Sequence, residues 1–513
     1  MANRSRTEYS ILNIVTGLGG YVLNTVLGLV CRMFFTRTLN ADYLGINGLF
    51  TNILSMLSLA ELGIGTAIVY ALYKPLAEND EEKIATLVQF YGKCYRIIGL
   101  VVAAVGLALL PFLDLLIPEQ PAIKENLKVI YCVYLLNTAS SYFFSYRASL
   151  VSASQRHYIV MGVSYIMTIL ESAIQIVWLV TTHNYFGYLI IKMAGVLIYN
   201  VTVSLIAKKL FPYIANKKAA PLEKEEKRKL VRNVRALVIW KISGLLVNST
   251  DNIIITYFKG LITVGLTSNY TLLSGTLKSL LDLFFDSLKA SIGNLNAIES
   301  KQKRMSMFYN INFANFWLYG WASIGIFAVS TDLVSLLFGD SYIIAQPIPL
   351  VLALNFYMVG IQNTVWSFQN AMGLFRQGRY LLFLTAGLNL VLSILLGKIW
   401  GLFGILFATA ISRLLTNTWF DPFKVFHYGF DEPVLPYYRR RLLYLLILTA
   451  TGALCYFVCG LVQGPVLLTC IYKFLVCSII PNGVFFLLFH NSSEFTYFTD
   501  LVRRLLSRIR RHA

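Results

Sequence analysis

The side chains of this 513-residue chain that could do chemistry are charges set inside apolar runs. Arg32 and Arg37 lie late in the first run and Glu61 interrupts the second. Lys241 and Asp251 share a later one, and Lys278, Asp282, Asp286 and Lys289 share the next. A charge at the centre of hydrocarbon costs about 3 kcal/mol on insertion scales, so it turns to a cavity, pairs, or reaches the interface. Arginine offers a fixed fork for phosphate oxygens. Arg32 therefore reads as a cavity group, whereas Arg37 either lines the same cavity or snorkels to the outer headgroups. Lys241 and Asp251 are ten residues apart, about 15 Å along a helix, and need separate partners. The spacing of Lys278, Asp282, Asp286 and Lys289 puts them near one helix face and permits a Lys278–Asp282 or Asp286–Lys289 pair. That face is either a satisfied ladder toward a cavity or a cation or proton relay.

A second group of charges belongs at the cytoplasmic mouth. Arg147 comes late in the fourth apolar run, and Arg156, Arg376 and Arg379 sit in short SQR and RQG pieces. They would draw in a phosphate-bearing substrate, or they serve only the positive-inside bias. Glu171 and Gln175 share a face of the fifth run. No catalytic constellation is expected. His427, His490 and His512 are isolated from other ligand types. The cysteines at 31, 94, 132, 455, 459, 470 and 477 mostly lie inside apolar runs without metal spacing, so no metal or cofactor is expected. The ions admitted are a coupling Na+ or H+.

The elements that must position these groups are membrane helices. The chain is 57% hydrophobic and 13% charged, with a mean hydropathy of +0.64. A soluble domain carries about a quarter charged residues. Fourteen spans are expected, over 11–36, 44–72, 86–117, 127–150, 158–181, 185–207, 234–258, 261–291, 307–330, 346–371, 380–399, 401–420, 442–463 and 468–490. Lys and Arg crowd alternate connections, above all the stretch 208–235, and leave only Arg37, Lys124, Lys128, Lys259 and Lys398 on the other side. The bias places both termini in the cytoplasm, and a bacterial cell membrane is the expected location. The formal net charge of +19 lies in short connections with no soluble domain to carry a nucleic-acid face, so anionic lipids are the expected partner.

The two halves resemble each other. SYRASLVSASQRHY at 145–158 aligns without gaps on SFQNAMGLFRQGRY at 367–380, GYVLN at 20–24 faces GLLVN at 244–248, and QFY at 89–91 faces MFY at 307–309. Near-constant offsets imply two parallel six-helix lobes with two helices added. The expected fold is thus an all-α polytopic membrane protein of about 14 helices. Its parts are an N-lobe at 1–209, a basic cytoplasmic linker at 210–233 and a C-lobe at 234–420. A cytoplasmic or interfacial segment at 421–441, two further spans at 442–490 and a basic cytoplasmic tail at 491–513 complete it.

FFTRTLNADYLGINGLFTNIL, LAELGIGTAIVYALY, VNSTDNIIITYF at 247–258 and VGLTSNYTLL at 264–273, with the duplicated pattern, resemble the polysaccharide and oligosaccharide flippases of the multidrug/oligosaccharidyl-lipid/polysaccharide exporter superfamily. The resemblance covers most of residues 10–420. It implies alternating-access transfer of sugars on undecaprenyl diphosphate to the outer leaflet, with arginines in a central cavity and coupling to an ion gradient. Arg32, Arg37 and Asp251 stand nearest the family's features, and Glu61 departs from its usual polar residue toward a full acid.

The expected function is a lipid-linked oligosaccharide flippase for capsule, exopolysaccharide or a related surface polymer, acting as a monomer beside a polysaccharide polymerase or glycosyltransferase. The alternatives are an exporter of small molecules, drugs or other lipids from the same superfamily, and a scaffold of a polysaccharide assembly complex. A membrane enzyme would need a long outer loop with catalytic groups, and none is expected.

Overall fold

The computed structural model describes residues 6–58, 64–119, 121–215, 224–374, 377–378 and 380–512. They form an all-α membrane protein. Among the described residues, nine helices are long and apolar enough to cross a bilayer. The chain divides into two compact units, Met1–Gly265 and Leu266–Ala513.

The first unit holds α1 (Arg6–Thr38), α2 (Ala41–Leu57), α3 (Ile64–Glu78), α4 (Glu81–Leu109), the short α5 (Leu113–Leu116), α6 (Leu127–Ala153), α7 (His157–Thr182) and α8 (Tyr185–Leu210). It also takes the start of α9 (Lys224–Ile298), which breaks at Gly260 with φ +77°. Polar residues start these helices by accepting first-turn amides: Asp80 accepts from Lys83 N at 2.9 Å, Asn126 from Lys128 N at 2.9 Å and Asn184 from Gly187 N at 2.8 Å. Such caps satisfy donors that lipid cannot. α1 packs on α7, α6 on α4 and α8, and α7 on α8. The apolar stretch 44–72 is two helices rather than one, since α2 ends at Leu57 and α3 starts at Ile64.

The second unit takes the rest of α9 and then α10 (Lys301–Phe338), α11 (Pro347–Gly360), α12 (Asn363–Ala371), α13 (Leu381–Leu415), α14 (Asn417–Lys424), a π-helical turn at Val425–Phe430, α15 (Leu435–Cys459), α16 (Val466–Phe489) and α17 (Ser493–His512). α10 packs against α11, α12, α15, α16 and α17, so it is the axis of the unit. Its aromatic face explains why. Phe316 stacks on Tyr444 of α15 at 4.1 Å and lies 5.0 Å from Phe485 of α16. Phe308 meets Phe368, Phe426, Phe430 and Tyr437 at 5.2 to 5.7 Å. In lipid there is little hydrophobic drive between helices, so close packing of this kind holds them. α15 and α16 therefore pack directly on α10. In the stretch 421–441, Asp421, Val425, Phe426, Phe430 and Tyr437 are likewise buried.

α13 reverses direction within itself. Gly401 has φ +60° and ψ −135°, and beyond it the chain returns along its own path. Asn389 Nδ2 donates to Thr409 Oγ1 at 2.9 Å, and Thr385 Oγ1 lies 2.8 Å from Thr416 Oγ1. A Cβ on Gly404 would stand 2.0 Å from the Leu396 carbonyl oxygen. The 380–399 and 401–420 stretches are two antiparallel arms that turn at the glycine.

The sequence match 145–158 to 367–380 begins at a helix end in each unit, with 375, 376 and 379 outside the described residues. The first copy covers the end of α6, a left-handed Gln155 and the start of α7. The second covers the end of α12, left-handed Gly373 and Gly378, and the approach to α13.

Candidate functional site

In the first unit, three charged side chains from three helices lie near enough, among tyrosines, for their charges to act on one another. Arg32 is half-buried on α1, Glu171 half-buried on α7 and Lys192 half-buried on α8. The charges of Arg32 and Glu171 both act on Lys192. Lys192 Nζ lies 5.9 Å from the centroid of the Tyr134 ring on α6, at the outer limit of a cation–π contact. The Tyr134 hydroxyl is 3.1 Å from that of Tyr185 and donates to Asn47 Oδ1 on α2 at 2.8 Å. Tyr185 and Tyr188 stack at 6.1 Å, and Phe35 meets them at 5.9 and 5.3 Å. Gln175 Nε2 donates to the Tyr188 carbonyl at 3.4 Å.

The glycine one turn beyond Lys192 sets the carboxylate. A Cβ on Gly195 would stand 2.5 Å from Glu171 Oε2, so the missing side chain lets Glu171 lie against the α8 backbone. The cluster carries two positive groups and one negative. A net positive charge beside buried tyrosine hydroxyls suits the binding of an anion or the exchange of a counter-ion. The arrangement holds no nucleophile–base pair.

A path of aromatic and carboxylate groups continues from this cluster along α2. Tyr43 OH donates to Glu125 Oε2 at 2.5 Å, and the Tyr43 ring lies 4.5 Å from that of Tyr185. Arg37, in the last turn of α1, is exposed.

The second unit has its own polar node. Asp282 on α9 pairs with Lys278 one turn earlier, one of the two pairs that the spacing permits. Asp282 Oδ1 accepts from Tyr319 OH of α10 at 2.8 Å and from Asn363 Nδ2 of α12 at 3.0 Å, and Asn363 Nδ2 also donates to Tyr319 OH at 2.8 Å. Gly360 makes room for this node, since a Cβ there would stand 2.0 Å from the Tyr319 ring. Asn315 Nδ2 bridges the Gly360 carbonyl and Thr364 Oγ1 at 3.0 and 3.1 Å. Further ion pairs tie this unit, two of them more deeply set. Lys473 of α16 pairs with Asp332 of α10 at 2.7 Å, and Lys424 pairs with Asp421 at 3.3 Å in a buried setting.

The remaining expected site residues are placed as follows. Arg147 donates to Ser204 Oγ of α8 and covers the Tyr146 ring at 5.1 Å, so it ties α6 to α8. Arg156 precedes α7 at its N-cap position. Asp251 is half-buried on α9. Lys241 lies on α9 with its side chain outside the described residues, and Glu61, Arg376 and Arg379 lie outside them altogether. The sequence reading passed over Lys192, although a lone lysine in YLIIKMAGVLIY is a visible signal. It had no means of finding Tyr134, Tyr188, Tyr319 or Asn363, which are ordinary residues of apolar runs. Among the described residues no His, Cys, Asp and Glu cluster could hold a metal ion.

No family model matches the chain. An uncharacterized membrane protein of Methanocaldococcus jannaschii is 21% identical over 433 residues, covering 80% of this chain and 83% of that protein. The lipid II flippase MurJ in an inward closed conformation superposes with a TM-score of 0.65 at 14% identity, over 93% of this chain and 99% of MurJ. An inward-facing multidrug resistance MATE family transporter gives 0.59 at 14% identity over 78% and 94%. The MATE multidrug transporter DinF-BH in complex with R6G gives 0.57 at 15% identity over 83% and 97%. These structural homologues are transporters and not enzymes. The chain is a multi-pass membrane protein with the fold of the MOP-superfamily transporters, MurJ and the MATE proteins among them.

Proposed function

We propose that the chain is a secondary transporter that moves a small-molecule or lipid-linked substrate by alternating access. The observation that carries this reading is the cluster of Arg32, Lys192 and Glu171 inside a helix bundle of transporter fold. Such charges are costly in hydrocarbon unless they serve a pathway or a pair. MATE multidrug transporters recur among the structural homologues, which favours an exporter of small molecules or other lipids. The narrower reading is translocation of an undecaprenyl-diphosphate-linked oligosaccharide. It is supported by the positive balance at Arg32 and Lys192 and by the overlay on a lipid II flippase. Under either reading the chain crosses the membrane fourteen times in two six-helix lobes plus two helices. The basic linker and both termini then face the cytoplasm. Arg37, Glu61, Lys241, Asp251 and the mouth residues Arg147, Arg156, Arg376 and Arg379 are the candidates for the substrate path.

Reconstitution in proteoliposomes decides between the substrates. Defined undecaprenyl-diphosphate sugars and organic cations are offered separately under imposed Na+, H+ or electrical gradients. Transport of organic cations but of no sugar donor selects the exporter reading, and the converse selects the flippase. Transport of either is expected to fall at least about tenfold in Arg32→Ala and Lys241→Ala at normal protein levels. Full activity in both variants would remove these residues from the path.

A further inference from the structure

α17 begins where a membrane helix ends: α16 stops at Phe489 and α17 starts at Ser493. Its first turns are fixed to the bundle. Phe495 stacks on Trp317 of α10 at 5.9 Å and lies 5.6 Å from Phe486 of α16. The Tyr497 hydroxyl donates to Met307 Sδ at 3.7 Å, and Phe498 packs on the same core. Arg440 of α15 pairs with Glu494 and covers the Tyr309 ring at 4.4 Å. Beyond Asp500 the helix has two unlike faces. At about 100° per residue, the positions of Leu501, Val502, Leu505, Leu506 and Ile509 fall within an arc of about 140°, and those of Phe495 and Phe498 fall on the same arc. Arg503, Arg504, Arg508, Arg510 and Arg511 take the rest of the circumference, with no acidic residue among them. Leu501, the first residue of the arc past Phe498, is 40% exposed, so the bundle no longer covers the arc there.

We propose that α17 beyond Asp500 is a lipid-binding surface: its apolar arc beds into the leaflet at which α16 ends, and its five arginines bind the phosphates of anionic lipids there. The arc meets the membrane helices α10 and α16 at Phe495 and Phe498, so past the edge of the bundle the same arc faces the bilayer around them. A basic helix with one apolar face is the form that lies in the headgroup plane. Each arginine adds attraction to an anionic leaflet, and its guanidinium fork fits phosphate oxygens. A soluble partner protein would have to cover the arc from the side that lipid already occupies. The clamp of Glu494 and Phe495 on Arg440 and Trp317 then holds the start of the lipid-bound helix against α10 and α15. The inference concerns the lipid around the chain and holds whichever substrate is carried.

The test uses the full chain in nanodiscs of phosphatidylcholine, with or without about 30% phosphatidylglycerol. With the native cysteines replaced, Leu505→Cys and Ser507→Cys each carry an environment-sensitive fluorophore. At 505 quenching by lipid-borne nitroxide is expected to be about fivefold stronger with phosphatidylglycerol than without it, and about 0.5 M NaCl should remove most of the difference. At 507, on the arginine side, quenching should stay weak in both lipids. Arg503→Gln/Arg504→Gln/Arg508→Gln/Arg510→Gln/Arg511→Gln is expected to abolish the gain at 505, and a gain that survives it sinks the idea. A fluorophore at 505 that is shielded from water yet not quenched by the lipid means that protein covers the arc; equal quenching in both lipids means that charge plays no part. Either result overturns the proposal. Hydrogen exchange of wild type needs no substitution: amide protection over 501–511 should rise about fivefold from neutral to anionic nanodiscs. No rise overturns the proposal even where the labelled proteins are not recovered.

Discussion

Glu171 owes its position to a missing side chain on the facing helix. The atom that a new Cβ at 195 would strike is Oε2, the free end of a flexible side chain, so the carboxylate can swing away. Gly195→Ala is expected to cost less than about 1 kcal/mol, because small overpacking against a mobile group is relieved by a rotamer change. It should nevertheless lower transport several-fold by moving Glu171 from Lys192. Parallel melting curves and uptake rates check this; equal loss of both would reduce Gly195 to a packing residue. A second carboxylate, Glu494 at the start of α17, lies outside the spans. Burial pushes its pKa up, but hydrogen bonds from its own backbone amide, Arg440 and Ser493 outweigh burial and hold it below the usual carboxylate range. The native state thus binds this proton less readily than the unfolded chain, and the pair stabilises the protein above the unfolded pKa of about 4.3. That contribution, about 1 kcal/mol given the half-exposed Arg440, is lost as pH falls through the depressed native value. The protection of amides 493–500 against hydrogen exchange, taken relative to the intrinsic rate at each pH, should fall below about pH 4 in wild type, and Glu494→Gln should show the lower protection already at pH 7.

At the scale of elements, the positions of helices were legible, and so were the breaks at Gly260 and Gly401, which fall at the joins of 234–258 with 261–291 and of 380–399 with 401–420. Among the described residues the apolar stretches are helical, nine of the helices being long and apolar enough to cross a bilayer, because long apolar runs bounded by Asn, Asp, Ser, Gly and charge admit little else there. The sequence reading passed over the break between Gly360 and Asn363, because it takes 346–371 as one apolar run, whereas Glu61 marks the second run close to where α2 ends. Gly401 was legible as a join, and the structure shows what it does. Its φ of +60° and ψ of −135° fall where a side chain is strained by about 1–3 kcal/mol. Gly401→Ala should therefore lower the melting temperature measurably. Leu402→Ala, which leaves the glycine and its turn in place, serves as the control; an equal loss in both would mean that the turn geometry is not the cause.

At the scale of the whole molecule, the positive-inside count predicts that the stretch 208–235 faces the cytoplasm. A single cysteine introduced as Lys218→Cys in a background with the native cysteines replaced should react with an impermeant maleimide only in inverted vesicles. Labelling in intact cells would reverse the topology and with it the assignment of Arg147, Arg156, Arg376 and Arg379 to a cytoplasmic mouth. The fold shared with MurJ and the MATE proteins makes transport the reading to test first, and the substrate experiment then separates the two cargo classes.

The sequence by itself determined the class of molecule: a multi-pass, all-α membrane protein, positively charged in its connections. Hydropathy and charge bias act residue by residue along the chain and need no partner to be read. It also contained the Lys278–Asp282 pair, because an i,i+4 relation is local. Only the tertiary structure decided which charges meet. Tyr319 and Asn363 reach Asp282 from 37 and 81 residues away, and Lys192 comes to Arg32 and Glu171 through the packing of α8 beside α1, α6 and α7. Such meetings depend on the order in which helices pack in lipid, where close shape complementarity rather than apolarity selects the neighbour.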